Sequence, residues 1–320
     1  MPAPRDPELL AKAARLYFVE DRSQDDVAAV LGTTRSNVSR MLKQARDLGI
    51  VQIRIVDPAR RDQGLERVLR HRFGLVDARV LEVTPDTDVL AGVGRLAVRW
   101  LDEHLRDGQV VALSWGHTLQ AVVNAVDGLS RRDVEVVQLV GGLSALNSAL
   151  TGQELVRELS ERMGARHRYL HAPALFGSAE ALAMMLHEQT IADALDAAKA
   201  ADIAVVGIGA ASIGSSRALV DALALSPAQR AEFDAAGAVG DICARFYDLS
   251  GQEVGSVVGE RVLAVTLDDL RAIPTVAGVA AGREKALGIL GALRGRIIDV
   301  LICDQEAARS VLSVDEPGPA

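Results

Sequence analysis

The sequence predicts a two-domain α/β protein: an N-terminal helix-turn-helix unit over residues 1–57, then a doubly wound α/β domain over residues 58–320. Three observations predict it. Residues 23–49 place a short helical pattern, a glycine and a longer helical pattern in succession. From residue 78 onward, short apolar runs alternate with amphipathic stretches, as in a parallel sheet covered on both faces. Loops rich in glycine and hydroxyls follow several of those runs, where open sheets of this kind bind ligands.

Residues 7–20 read as a first helix, with Leu9, Leu10, Ala13, Leu16 and Tyr17 along one side. Ser23 is a candidate N-cap for the second helix, with Asp26 at the third helical position of a weakened capping box. Val27, Ala28, Val30 and Leu31 form its apolar face, and Gly32 ends it. Thr33 or Thr34 caps a third helix with apolar positions Val38, Met41, Leu42, Ala45 and Leu48. Its other face carries Arg35, Ser36, Asn37, Ser39, Arg40, Lys43 and Arg46. A tight turn followed by such a helix has the geometry that enters a major groove. Asn can bridge an adenine edge and Arg a guanine edge, while Ser and Thr suit phosphates. Thr34, Arg35, Ser36, Asn37, Ser39, Arg40 and Lys43 are therefore the candidate DNA contacts.

An ordinary helical hairpin with a solvated face would show the same apolar pattern, so charge has to separate the two readings. The whole chain has a formal charge of -8, yet residues 1–56 hold nine Lys or Arg against seven Asp or Glu. Residues 33–46 hold four basic residues and no acid. Positive charge gathered on one helix of an acidic protein points at phosphates, which favours double-stranded DNA as the partner. Residues 50–56 then alternate as a short strand, a wing beside the helices, and residues 57–64 read as a linker.

In the second domain, residues 65–73 read as a basic amphipathic helix stopped by Gly74. Strands are expected at 78–83, 110–113, 134–140, 203–207 and 300–302, and helices at 89–105, 118–126, 153–163, 179–186 and 284–293. After the second strand, Ser114, Trp115, Gly116, His117 and Thr118 lead into a helix, and free N-terminal amides beside a glycine make an anion site. Gly141 and Gly142 follow the third strand, and Gly207 and Gly209 the fourth, with Ser212, Ser215 and Ser216 beyond. Gly278, Gly282, Arg283 and Lys285 stand at a later helix start, and Asp304 follows the last strand. One such glycine is often only a turn requirement. Four loops at successive strand ends point to a phosphorylated or polyhydroxylated small molecule. His117 reads as a donor rather than a base, because no carboxylate lies near it in sequence to orient it. Trp115 packs over a ligand or belongs to the core; Asp241, in GDICARFYD, is a sugar-hydroxyl acceptor or a salt-bridged strand end.

Several classes are disfavoured. No apolar run reaches the ~20 residues that span a bilayer, and the N-terminus lacks a signal-peptide apolar region. Cys243 and Cys303 are lone residues in apolar runs and read as buried reduced thiols, so a cytoplasmic protein is expected. GIGAASIG has the wrong spacing for a dinucleotide fingerprint, there is no P-loop, and the remaining histidines show no metal spacing. No cofactor, metal or catalytic residue is assigned.

Along almost the whole chain these motifs resemble the SorC family of bacterial transcriptional regulators. The N-terminal pattern is matched by AARLYFVEDRSQDDVAAVLGTTRSNVSRMLKQARDLGIVQIRI. The effector-domain pattern is matched by FGLVDARVLEV, VALSWGHTL, VEVVQLVGGL, GDICARFYDLSG and AGREKALGILGALRGRIIDVLICDQEAA. The resemblance implies a regulator responsive to a sugar phosphate, assembled as a homo-tetramer, whose effector domain is similar to glucosamine-phosphate and ribose-phosphate isomerase folds. It places the effector loop on Ser114, Gly116, His117 and Thr118, a second loop on Gly141 and Gly142, and a third on Gly207 and Gly209. It makes Lys285 the foremost phosphate or sugar contact. Two positions depart from the pattern: His117 stands where many relatives have Arg, and Ala281 where the later element begins with Gly. The competing class is a sugar-phosphate isomerase or deaminase-like enzyme, for which no convincing acid/base pair lies beside the glycine loops.

Overall fold

A computed structural model describes residues 6–51, 60–129, 133–143 and 152–315. The chain divides into two compact units, Met1–Pro58 and Ala59–Ala320.

In the first unit, Pro7–Ala14 (α1) starts at Asp6, whose carboxylate accepts from the Glu8 amide, with proline where no helical donor is lost. The helix widens into a π-helical turn at Arg15–Val19. Gln24–Leu31 (α2) carries the complete reciprocal capping box: the Asp26 amide donates to Ser23 Oγ and the Ser23 amide to Asp26. Gly32, at φ 61°, turns the chain in the left-handed region, and Thr34 rather than Thr33 caps Arg35–Asp47 (α3). Leu10, Ala13, Leu16, Val27, Val38, Met41, Leu42 and Ala45 close into a small core. Leu9, Val30 and Leu48, expected on the apolar faces, are exposed. Ile50 and Val51 follow a bend rather than a strand; the rest of the expected wing and residues 57–59 of the linker lie outside the described residues.

The second unit runs in order through Gln63–Phe73 (α4), Asp77–Leu81 (β1), Val89–His104 (α5), Val110–Leu113 (β2), His117–Ala125 (α6), Glu135–Gln138 (β3), Gly152–Met163 (α7) and Arg166–Arg168 (β4). It continues with Ala179–Leu186 (α8), Gln189–Lys199 (α9), Ile203–Gly207 (β5), Gly209–Ala210 (β6), Gly214–Ala222 (α10), Pro227–Ala235 (α11), Gly240–Ile242 (β7) and Arg245–Tyr247 (β8). Ser256–Gly259 (α12), Leu267–Ala272 (α13), Thr275–Val279 (β9), a 3-10 turn at Arg283–Lys285, Ala286–Arg294 (α14), Val300–Asp304 (β10) and Gln305–Asp315 (α15) complete it.

Among the described residues, seven strands form one parallel sheet in the order β1-β10-β9-β5-β2-β3-β4. Alternate side chains face opposite ways. In β5, Ile203 and Val205 join Leu96, Trp100, Val122 and Leu155 of α5, α6 and α7, while Ala204 and Val206 join Ile289, Leu290 and Val311 of α14 and α15. Burial on both faces is why the strands read as continuous apolar runs.

The strand order reverses between β2 and β5. From β2 the chain proceeds to β3 and β4 on one side, then returns to β5 and moves on to β9 and β10 on the other. The crevice beyond the carboxyl ends of β2 and β5 is the switch point of a doubly wound sheet. Strand β9 departs from expectation: its sequence, TVAGV, reads as a glycine loop yet pairs with both β5 and β10. Gly278 suits this position because a Cβ would stand 3.0 Å from side-chain atoms of Ile208 and Ile298, which would have to give way. A second, antiparallel sheet of β6, β7 and β8 was likewise not expected. No helix among the described residues is long and apolar enough to cross a membrane.

Candidate functional sites

A cleft of about 280 Å³ opens at the switch point. Three loops build it. The β2 loop supplies Trp115, Gly116, His117 and Thr118; the β5 loop supplies Gly207, Ile208 and Gly209; the β9 loop supplies Ala281, Glu284 and Lys285. Asp241 and Cys243 of the small sheet also line it, and Leu90, Ile213, Gly214, Ser215 and Ser216 complete the wall.

Three first turns that meet the cleft lack a side-chain cap. The N-cap residues are Gly116 for α6, Ile213 for α10 and Gly282 for the 3-10 turn. Elsewhere α2, α3, α4 and α5 are each closed by a capping side chain, while α9 and α12 also start without one. Uncapped first-turn amides are donors in want of an acceptor, and the helix dipoles make that acceptor an anion. Gly116 sits at φ 128°, a conformation that an L side chain rarely adopts, and this starts α6 at the cleft edge.

Asp241 lies at the buried side of the cleft, 5% exposed. Its Oδ1 accepts from Ser216 Oγ at 2.5 Å. Gly209 has no side chain because a Cβ would land on the Asp241 carboxyl and the Ser216 hydroxyl. Burial pushes the Asp241 carboxyl above the usual carboxylate range; Ser216, the Lys285 charge and the Ala244 amide act the other way. Lys285 makes no ion pair among the described residues, so its ammonium is free to meet an anion beside that carboxyl. Desolvation and the Asp241 charge push the Cys243 thiol up, which keeps it out of nucleophilic chemistry. Trp115 lines the cleft, and its indole Nε1 is buried with no hydrogen-bond partner among the described residues.

The cleft thus brings together Gly116, His117, Thr118, Gly207, Gly209, Asp241 and Lys285 of the residues expected from sequence. Ser114 stands behind it, 2% exposed, with its Oγ accepting from the Gly207 amide at 3.1 Å. It sets the distance between the β2 and β5 loops and does not line the cleft. Gly141 and Gly142 are not among the residues that line the cleft. The Gly141 amide donates to Leu263 O at 2.9 Å and the Gly142 amide to Ala172 O at 2.8 Å, which places both amides in a backbone ladder. A Cβ on Gly141 would meet the Pro173 backbone, so neighbouring chain accounts for this glycine. Sequence reading did not place Leu90 or Cys243 in the site, and it named Ser216 only as lying beyond the fourth-strand glycines. The start of α10 at Ile213–Gly214 was the available signal for Ser216.

On the first unit, the exposed face of α3 presents Arg35, Ser36, Ser39, Arg40 and Lys43. Thr34 Oγ1 accepts from the Asn37 amide at 3.3 Å, and Asn37 Nδ2 donates to Thr33 Oγ1 at 2.8 Å. The Arg35 guanidinium lies 3.7 Å from Asp25, with both side chains 70% exposed. Such an open pair is worth little and yields readily to a phosphate. Among the described residues no cluster of His, Cys, Asp or Glu could hold a metal ion.

A switch-point cleft lined by amides, a lysine and a buried carboxyl defines a domain built for a small polar ligand. In agreement, residues 57–313 match Sugar-bind, the family of sugar-binding domains. The chain is 33% identical over 308 residues to the deoxyribonucleoside regulator of Bacillus subtilis strain 168, covering 96% of this chain and 97% of that protein. It is 32% identical over 311 residues to the transcriptional regulator LsrR of Enterobacter sp. strain 638, covering 96% and 93%. The crystal structure of the full-length sorbitol operon regulator SorC from Klebsiella pneumoniae superposes with a TM-score of 0.80 at 30% identity, covering 97% of this chain and 100% of that one. The chain belongs to the SorC family of sugar-binding transcriptional regulators.

Proposed function

We propose that this protein is an effector-controlled regulator that reads double-stranded operator DNA with α3 and releases or engages it when a phosphorylated sugar or polyol occupies the cleft. The observation that carries the reading is the convergence of three uncapped first turns and Lys285 on one cleft that also holds a buried carboxyl. The first turns and Lys285 suit a phosphate; Asp241 suits a hydroxyl of the sugar. His117 is exposed and has no carboxylate partner among the described residues, which favours a donor to the ligand over a catalytic base. We read the cleft as non-catalytic and the working form as a cytoplasmic homo-oligomer, a tetramer in the family pattern.

A thermal-shift screen across pentose, hexose and polyol phosphates, each beside its unphosphorylated parent, tests the effector. A ligand at about 100 times its Kd stabilises the native state by about 2.7 kcal/mol. The expected result is a shift with a phosphorylated member only, and no turnover of it; equal shifts with free sugars would remove the phosphate from the reading. For the DNA-binding face, Arg35→Ala plus Arg40→Ala is expected to lower the slope of log K against log salt by up to about 2, since each phosphate contact contributes about 0.9. Full operator affinity in that variant would exclude α3 as the reading helix.

A further inference from the structure

We infer that Arg245 is a positioning residue for the effector cleft, holding the β7–β8 hairpin so that the Asp241 carboxyl is set to accept from a ligand hydroxyl. The inference rests on the effector reading of the cleft.

The hairpin is tight. Ile242 pairs with Arg245, so Cys243 and Ala244 alone make the turn, at φ 53° and 62°. Two-residue hairpins need such positive φ values and normally take Asn-Gly or similar residues to reach them. Neither cysteine nor alanine adopts this conformation readily, so something outside the turn must hold it. What the turn achieves is local: it ends the strand that carries Asp241, whose carboxyl receives the Ser216 hydroxyl. The Ser216 hydroxyl engages one carboxyl oxygen and leaves the remaining acceptor capacity to the cleft. Cys243, on the same turn, forms part of the cleft wall.

The hold comes from the next residue. The Arg245 side chain is 11% exposed, and its guanidinium donates to four backbone carbonyls. Nη1 reaches Gly259 O at 2.8 Å; Nη2 reaches Ala264 O at 3.1 Å and Val262 O at 3.2 Å; Nε reaches Val265 O at 3.3 Å. Glu253 lies 3.5 Å from Nη1, and Gly259 has no side chain to fill the space beside both groups. The segment 259–265 is itself anchored: Leu263 N–H donates to Ala174 O, Gly141 N–H to Leu263 O, and Val265 N–H to Leu139 O. One planar fork therefore ties a strained turn to the end of β3. Lysine, a single ammonium on a flexible stem, cannot span those carbonyls.

The test uses the full-length chain with Cys303→Ser, so that Cys243 is the sole thiol. Ellman's reagent should label it slowly, and about tenfold faster in Arg245→Lys as the turn opens locally. Adding Ala244→Gly, which accepts positive φ unaided, should restore slow labelling. In the same proteins, affinity for the pentose and hexose phosphates that bind the parent should fall about tenfold with Arg245→Lys, as expected for a mispositioned acceptor, and recover in the double variant. Operator affinity without sugar phosphate should stay unchanged throughout. Unaltered labelling, or unaltered sugar-phosphate affinity, in Arg245→Lys would overturn the inference. So would equal acceleration at Cys303 in a Cys243→Ser background, which would signify general loosening. If the parent bound no member of the panel while Cys243 responded as described, the effector reading would fail and the turn clamp would stand.

Discussion

Asp241 is placed where burial works against its ionised form. Its side chain is buried in the α/β unit, and the folded state holds its proton more tightly than the unfolded chain does. A carboxyl with a raised folded pKa contributes stability that is fully present below the ordinary carboxylate pKa and is lost as pH rises through the folded value. Ionising the buried carboxyl as pH rises therefore costs the fold stability. Asp241→Asn removes the ionisation while keeping an acceptor for Ser216. Its melting temperature at pH 7.5 should exceed that of the parent by a few degrees, at about 2–4 °C per kcal/mol, and calorimetry should show the gain shrinking toward pH 4. The same variant should bind the sugar phosphate about tenfold less tightly, because an amide replaces the carboxyl that would meet a ligand hydroxyl. A lower melting temperature at pH 7.5 would mean that the attraction of Lys285 for the carboxylate outweighs its burial.

At the scale of elements, the small antiparallel sheet reaches the cleft because α14 is stripped of side chains where the two meet. A Cβ on Gly288 would run into Gly209 O, and one on Gly291 would stand 2.7 Å from Asp248 O. Tyr247 seals the contact by donating its hydroxyl to Gly288 O at 2.9 Å. Gly288→Ala must push apart two backbones, and overpacking of this kind costs about 1–3 kcal/mol. Chemical denaturation should show that loss, together with weaker sugar-phosphate binding as Asp241 moves from Lys285. Sequence reading foresaw the first unit closely, since Ser23, Gly32 and the apolar spacing of α3 are local signals. It failed where one residue type answers different neighbours. Gly141 looked like a ligand loop and is a packing glycine, whereas Gly278 looked like a loop and lies inside a strand. The β7–β8 turn was illegible for the opposite reason: Cys243 and Ala244 carry no turn signature, and the force that bends them comes from Arg245.

For the whole molecule, control of DNA by a ligand requires that the effector loop bias something beyond the cleft. A short chain of contacts leads from that loop to the start of the second unit. The Gly282 amide, three residues before Lys285, donates to Asp304 Oδ2 at 2.6 Å. The other oxygen of Asp304 receives the amides of Glu306 and Ala307 and so begins α15. The adjacent Gln305 donates from Nε2 to Asp62 Oδ2 at 2.7 Å, and Asp62 caps α4 through the Leu65 amide. The peptide that joins the two units enters the second just ahead of Asp62. A shift of Lys285 toward a phosphate would pull on Gly282, and Asp304 would pass it to the base of α4. Spatial continuity alone does not establish coupling, so the contact must be tested by its removal. Gln305→Ala deletes the hydrogen bond from α15 to Asp62 and leaves the Arg72–Asp315 pair between α4 and α15 in place. It should leave operator affinity without effector, and sugar-phosphate affinity without DNA, within about twofold of the parent, while the effector-induced change in operator affinity falls several-fold from the typical range of about 5–150. Fluorescence anisotropy of labelled operator, titrated with and without saturating sugar phosphate, reads all three quantities. An undiminished response in Gln305→Ala would exclude this path.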